Sequence, residues 1–128
     1  MKNLRPRSLC LAIATVTLLA FGCGEGVNET TWPHLLVSGT LLTAAGAPVT
    51  GSTVHITTWA QPSNCGDSIA VSTVTATSSP AGTYQATVYT TIPPFSGCLR
   101  VDATTVHTDT VLASVPDGTR IQVNLRLP

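Results

Sequence analysis

Charge is what this sequence has least of. Asp, Glu, Lys and Arg make up only 9% of its 128 residues, with six basic side chains against six acidic ones. A nucleic-acid partner needs a basic patch that neutralises phosphates, and a chain without net positive charge offers none. A membrane-spanning helix is missing too, because it needs about 20 consecutive apolar residues. The apolar run near the N terminus, Leu9 to Phe21, stops at 13. Catalytic signatures are equally absent: there is no glycine-flanked serine elbow, no phosphate-cradling glycine loop and no pair of histidines at helical or metal-ligand spacing. These absences predict a chain that is not an enzyme, has no catalytic residues and holds no metal or cofactor. What is present is 43% apolar residues, which excludes wholesale disorder. Thr and Ser are abundant, the composition of a β-structure kept soluble by hydroxyls rather than by charge. The length accommodates one domain.

The first residues read as an address. Lys2, Arg5 and Arg7 precede the short apolar run, the layout of a secretory signal rather than of a membrane span. The run closes with Leu19-Ala20-Phe21-Gly22-Cys23, which resembles the lipobox of bacterial lipoproteins. That resemblance implies removal of residues 1–22 and a diacylglycerol on the Cys23 thiol. Gly24 in place of Asp at the next position implies sorting to the outer membrane. Several acyl chains on one residue anchor stably, where a single chain is marginal. The mature chain keeps Arg100, Arg120 and Arg126 against six acids, a net charge of −3, which argues against nucleic acid and anionic head groups as partners.

Residues 23–34 form a tether, rich in glycine and acids and without apolar periodicity, whose ten-residue core spans about 17 Å as a flexible coil. Asn28-Glu29-Thr30 matches a glycosylation acceptor by chance. Of four cysteines, Cys10 leaves with the signal and Cys23 takes lipid. Cys65 and Cys98 remain, and two thiols in an oxidising envelope favour a disulfide over a metal pair or free thiols.

Residues 35–128 read as an all-β domain, an antiparallel β-sandwich of about seven strands. Alternation is clearest at the C terminus, where Ile121, Val123, Leu125 and Leu127 interleave with Arg120, Gln122, Asn124 and Arg126. Val54 and Ile56 point inward against His55, Thr57 and Trp59. Tyr84, Ala86 and Val88 do so against Gln85, Thr87 and Tyr89, and Leu99, Val101 and Ala103 against Arg100 and Asp102. Turn residues at 45–48, 61–64, 79–82, 93–94 and 116–118 separate the runs. The expected strands are 35–43, 52–60, 68–77, 82–91, 97–104, 106–114 and 119–127.

Val37-Ser38-Gly39-Thr40-Leu41, with Gly46-Ala47-Pro48 and Gly51-Ser52-Thr53-Val54-His55-Ile56 after it, resembles the opening hairpin of carboxypeptidase regulatory-like domains, which have a transthyretin-like (prealbumin-like) sandwich. Gly82-Thr83-Tyr84-Gln85-Ala86-Thr87-Val88 is similar to that family's glycine-x-aromatic strand, and Leu99-Arg100-Val101-Asp102-Ala103 to the strand after it. The resemblance covers residues 35–127 and speaks to fold more than to function. Pro80-Ala81 stands where many relatives carry an acid, so a metal at that turn is not expected. The fold's hydroxyisourate hydrolase branch ends in Tyr-Arg-Gly-Ser, whereas this chain ends Leu125-Arg126-Leu127-Pro128.

His34, His55 and His107 are far apart in sequence. Strand pairing can bring His55 and His107 to Asp109, although solvent-facing strand positions are the simpler reading. Trp59 and Tyr89 fall on outward parity and are the candidate ligand-binding residues, since exposed rings stack on sugars or peptides. Arg100 and Asp102 read as a solvated pair on one strand face. The expectation is a lipid-anchored envelope module with a structural or protein-interaction role, partnered by the membrane through its lipid and by an envelope protein or glycan. A carbohydrate-binding module and an accessory subunit of an envelope peptidase are the alternatives.

Overall fold

Alternating apolar residues with one buried face need a second sheet to bury them against, and two sheets are what the computed structural model shows. It describes residues 32–60, 65–66 and 69–128. The signal segment, Cys23 and all of the tether before Trp32 lie outside the described residues. Eight strands form: β1 (His34–Leu42), β2 (Thr53–Trp59), β3 (Ser72–Thr77), β4 (Thr83–Tyr89), β5 (Phe95–Ala103), β6 (Val106–Val115), β7 (Arg120–Gln122) and β8 (Leu125–Arg126). No described residue is helical, so no helix among them is long and apolar enough to cross a membrane.

Sheet 1 has the order β4-β1-β7, with β8 also paired to β1, and sheet 2 the order β3-β2-β5-β6. The expected antiparallel pairing holds everywhere except at the C terminus, where β7 and β8 both run parallel to β1. The continuous run expected over 119–127 is broken at Val123 and Asn124. The Asn124 Oδ1 fills the gap by accepting from the Thr40 amide (3.0 Å) and the Thr40 hydroxyl (3.1 Å). Side-chain amides compete with the ladder in this way wherever they reach a backbone N–H.

Of the inward residues foreseen from alternation, Val54, Ile56, Val88, Leu99, Val101 and Leu125 are essentially inaccessible in the core, joined by Leu35, Val37, Leu41 and Phe95. Each contributes about 1.5–3 kcal/mol by leaving water. Tyr84 lies opposite Gly39 in the ladder and reaches over it, so that its hydroxyl donates to the Val123 carbonyl. A side chain at position 39 would collide with both partners. Burial pushes the Tyr84 phenol up from 10.0 to about 12.

The sandwich has two dissimilar ends. The distal end is closed by tight turns over 43–52, 78–82 and 104–105. Gly82 (φ 75°) is required there, because a Cβ would lie 2.7 Å from the Leu41 carbonyl oxygen. The proximal end, where the chain enters at Trp32, carries the connections after β2, β4 and β6. The Thr58 hydroxyl ties the two sheets there by donating to the Tyr89 carbonyl (2.8 Å).

Candidate functional site

Strand register decides which of the polar positions meet. On the outer face of sheet 2, Thr57 pairs with Arg100 and Arg100 with Asp109, while Trp59 pairs with Cys98. The Arg100 guanidinium grips Asp109 with two charged hydrogen bonds, Nε to Oδ1 at 2.6 Å and Nη2 to Oδ2 at 2.7 Å. This two-pronged fit raises the Arg100 pKa and holds the Asp109 carboxyl below its ordinary value. Arg100 therefore pairs with Asp109, not with Asp102. It also donates to the Cys65 carbonyl (3.3 Å) and lies 5.6 Å over the centre of the Trp59 ring.

Cys65 and Cys98 form the disulfide, their Cα atoms 5.4 Å apart. It fastens the β2–β3 connection to β5 beside Trp59. Trp59 is on the outward parity expected of it, but only 8% of it is accessible, so it offers no open platform to a ligand. The correction has a physical cause: parity gives the side of a sheet, and only tertiary cover gives exposure. Arg100, lying over the ring, supplies part of that cover.

The register also puts His55 opposite Asp102, and Asp102 opposite His107. A shallow depression of about 270 Å³ touches Asp102, His107 and the turn residues Thr104 and Thr105. Asp109, considered with these histidines from sequence, is engaged by Arg100 instead. Among the described residues no group of three His, Cys, Asp or Glu side chains is arranged to hold a metal ion.

The outer face of sheet 1 is different in kind. Its register rows read Tyr89–His34, then Thr87–Leu36–Arg120, then Gln85–Ser38–Gln122, then Thr83–Thr40. Two shallow depressions of about 470 Å³ each follow this surface and share Ser38 and Gln85. One includes Leu36, Thr87 and Arg120, the other Thr40, Thr83 and Gln122. Among the described residues, the side chains of Gln85, Ser38, Gln122 and Arg120 make no hydrogen bond or ion pair with one another or with the core. Tyr89 stands at one end of the rows and is 47% accessible. Amides, hydroxyls, one guanidinium and an exposed ring are thus collected on one flat face, where they can donate to and accept from a polyhydroxyl ligand.

Of the sequence candidates, Tyr89 lies on this face and Trp59 does not. The Gln85–Ser38–Gln122 row, with Arg120 in the next row, was missed, because three strands distant in sequence contribute to it and only register aligns them.

No protein-family model matches the chain, and no curated protein does. Among solved structures it is similar to the dioxygenase domain of a dioxygenase and carbohydrate-binding-protein fusion from the cellulolytic bacterium Streptomyces sp. SirexAA-E. The two share 17% identity over 79% of this chain and 83% of that one, with a TM-score of 0.46. It is also similar to a 9R-lipoxygenase from Cyanothece PCC8801, with 11% identity over 80% of this chain, 17% of that chain and a TM-score of 0.39. Both are named as enzymes, so the expectation that the chain is not an enzyme does not stand. The physical reason is that a sandwich can assemble reacting groups from separate strands, which leaves no contiguous motif to be missed. Likeness at this level assigns no reaction.

Proposed function

We propose that the chain is a lipid-anchored protein of the bacterial cell envelope whose β-sandwich is a binding module, and that the outer face of sheet 1 holds a carbohydrate chain. The observation that supports this is the row Gln85–Ser38–Gln122, with Arg120 beside it, whose polar groups are spent on nothing else in the described structure. Vicinal sugar hydroxyls match side-chain amides, and the ring of Tyr89 matches the apolar face of a sugar. The lipobox-like segment ending at Cys23 supports the anchor and the outer-membrane address, and the hairpin and glycine-x-aromatic strand support kinship with carboxypeptidase regulatory-like domains. The test is retention of the membrane-extracted protein on a panel of immobilised neutral and acidic polysaccharides. Retention by at least one, lost in the Gln85→Ala/Gln122→Ala double variant, is the expected result. No retention on any member overturns the reading.

A second reading, protein binding by strand addition, is favoured by β6. This ten-residue strand ends the order of sheet 2, so one side of it is unpaired within the described sheet, and it contains neither proline nor lysine to block a partner strand. An envelope protein, a peptidase included, would then crosslink to β6 rather than to sheet 1.

A further inference from the structure

Large apolar side chains left in solvent are not spread evenly over this molecule. Among the described residues they are Trp32 (67% accessible), Ile69 (93%), Tyr89, Ile92 (85%) and Val111. All five lie in the proximal half. Trp32 immediately precedes the β1 start, Tyr89 ends β4 opposite His34, and Ile92 follows in the β4–β5 connection, where the Thr90 amide donates to the Pro33 carbonyl (2.9 Å). Ile69 lies in the β2–β3 connection close to Val71, whose amide donates to the Thr58 carbonyl. Val111 is on β6 opposite Cys98, four residues before that strand ends. Among the described residues the distal turns expose no large apolar group, only such residues as Ala44, Ala47, Pro80, Thr104 and Thr105.

We infer that the proximal end is a membrane seat: Trp32, Ile92 and Ile69 dip into the interface of the phospholipid bilayer that holds the lipid on Cys23, while Tyr89 stays with the sheet 1 face. This rests on the lipid anchor proposed above and goes beyond it, since an anchor alone leaves the domain free to tumble. The occupant follows from where the chain enters. Trp32 is nine positions after Cys23, so the joining segment reaches about 30 Å when fully extended and about 17 Å as a coil. A tether this short gives the bilayer a high effective concentration at the proximal end, so side chains that would partition weakly on their own stay engaged. The Trp32 ring suits the head-group region, with the isoleucines reaching toward the acyl chains. The end also carries little net charge: Asp117 accepts from the His34 amide (2.7 Å) and Arg120 stands nearby, so apolar contact and not attraction to anionic lipid sets the binding.

The two tryptophans make the test direct, because Trp59 is buried and serves as an internal reference. The membrane-extracted protein is reconstituted in vesicles of phosphatidylethanolamine and phosphatidylglycerol containing brominated phosphatidylcholine, floated on a gradient, and its fluorescence quenching is measured. The expected result is flotation with quenching of roughly half the emission, abolished in Trp32→Phe, reduced in Ile69→Ser/Ile92→Ser at unchanged Tm, and insensitive to salt. Flotation without quenching beyond that of Trp32→Phe overturns the seat while leaving the anchor intact. Failure to float overturns both. Crosslinking of these same residues to a protein, with no quenching, would assign the patch to that partner instead.

Discussion

The two outer faces of the sandwich share one ladder geometry and use their polar side chains in opposite ways. On sheet 2, Arg100 is committed to Asp109, to Cys65 and to the Trp59 ring, and Cys98 is committed to Cys65. On sheet 1, Gln85, Ser38, Gln122 and Arg120 lie in register without such commitments among the described residues. A face that satisfies its own groups contributes to stability, and a face that leaves them to water is available to a ligand. Substitutions should therefore separate cleanly into those that move the unfolding midpoint and those that move only binding.

The strongest way to break this contrast is to cut the crosslink. Cys98→Ser should lower unfolding stability in urea by about 4 kcal/mol, the value expected for a loop of 33 residues, and polysaccharide retention by the folded fraction should survive. Trp59→Ala comes next at about 3 kcal/mol, since a buried ring is lost from beneath Arg100. A drop smaller than 1 kcal/mol would mean that the ring is not a structural element of this face.

Tyr84→Phe tests the core between the faces. It strands the Val123 carbonyl and should cost about 1–2 kcal/mol at neutral pH. The wild-type phenol holds its proton to about 12 in the folded state against 10.0 when free. The raised value means that the associated stability is complete below pH 10 and is lost as pH rises from there through about 12. The alkaline unfolding arm should therefore flatten in Tyr84→Phe.

Smaller still is Asp109→Asn. Its carboxyl is held below its ordinary pKa of 3.8, chiefly by the hydrogen bond from Arg100. The contribution is present above that ordinary value and is lost as pH falls through the lowered one. The pair is substantially solvated, so the expected loss at neutral pH is below about 1 kcal/mol, and the acid arm of the stability profile should become shallower. Gln85→Ala/Gln122→Ala sharpens the contrast from the other side: a stability change within about 0.5 kcal/mol, with loss of polysaccharide retention. A large fall in Tm would show that this face, too, is structural.

The fold was legible in the sequence where side chains alternate. Val54, Ile56, Val88, Leu99 and Val101 were placed inward by period alone, and the structure buries each of them. Gly46, inside the expected turn at 45–48, has a φ of 86°. The cysteines left after signal removal were read as a pair and are bonded. Relations between strands were not legible. Nothing in Arg120-Ile121-Gln122 announces a parallel pairing with Leu36-Val37-Ser38, because parallel and antiparallel neighbours demand the same alternation. The burial of Trp59 was not legible for a related reason, as Arg100, which lies over its ring, is distant in sequence. The Gln85–Ser38–Gln122 row needs three strands in correct register before it exists at all.

The parallel pairing of β7 and β8 with β1 makes neighbours of the first strand and the last. As the chain is made from its N terminus, β1 emerges early and waits for residues near the C terminus before its second edge is filled, whereas β2, β3, β5 and β6 follow one another closely enough to pair as they arrive. Cys65 and Cys98 both precede β7 in the chain. The crosslinked sheet can thus be oxidised and assembled while its opposite is still incomplete, and the Tyr84 hydroxyl finds its acceptor on Val123 only when the chain is all but finished.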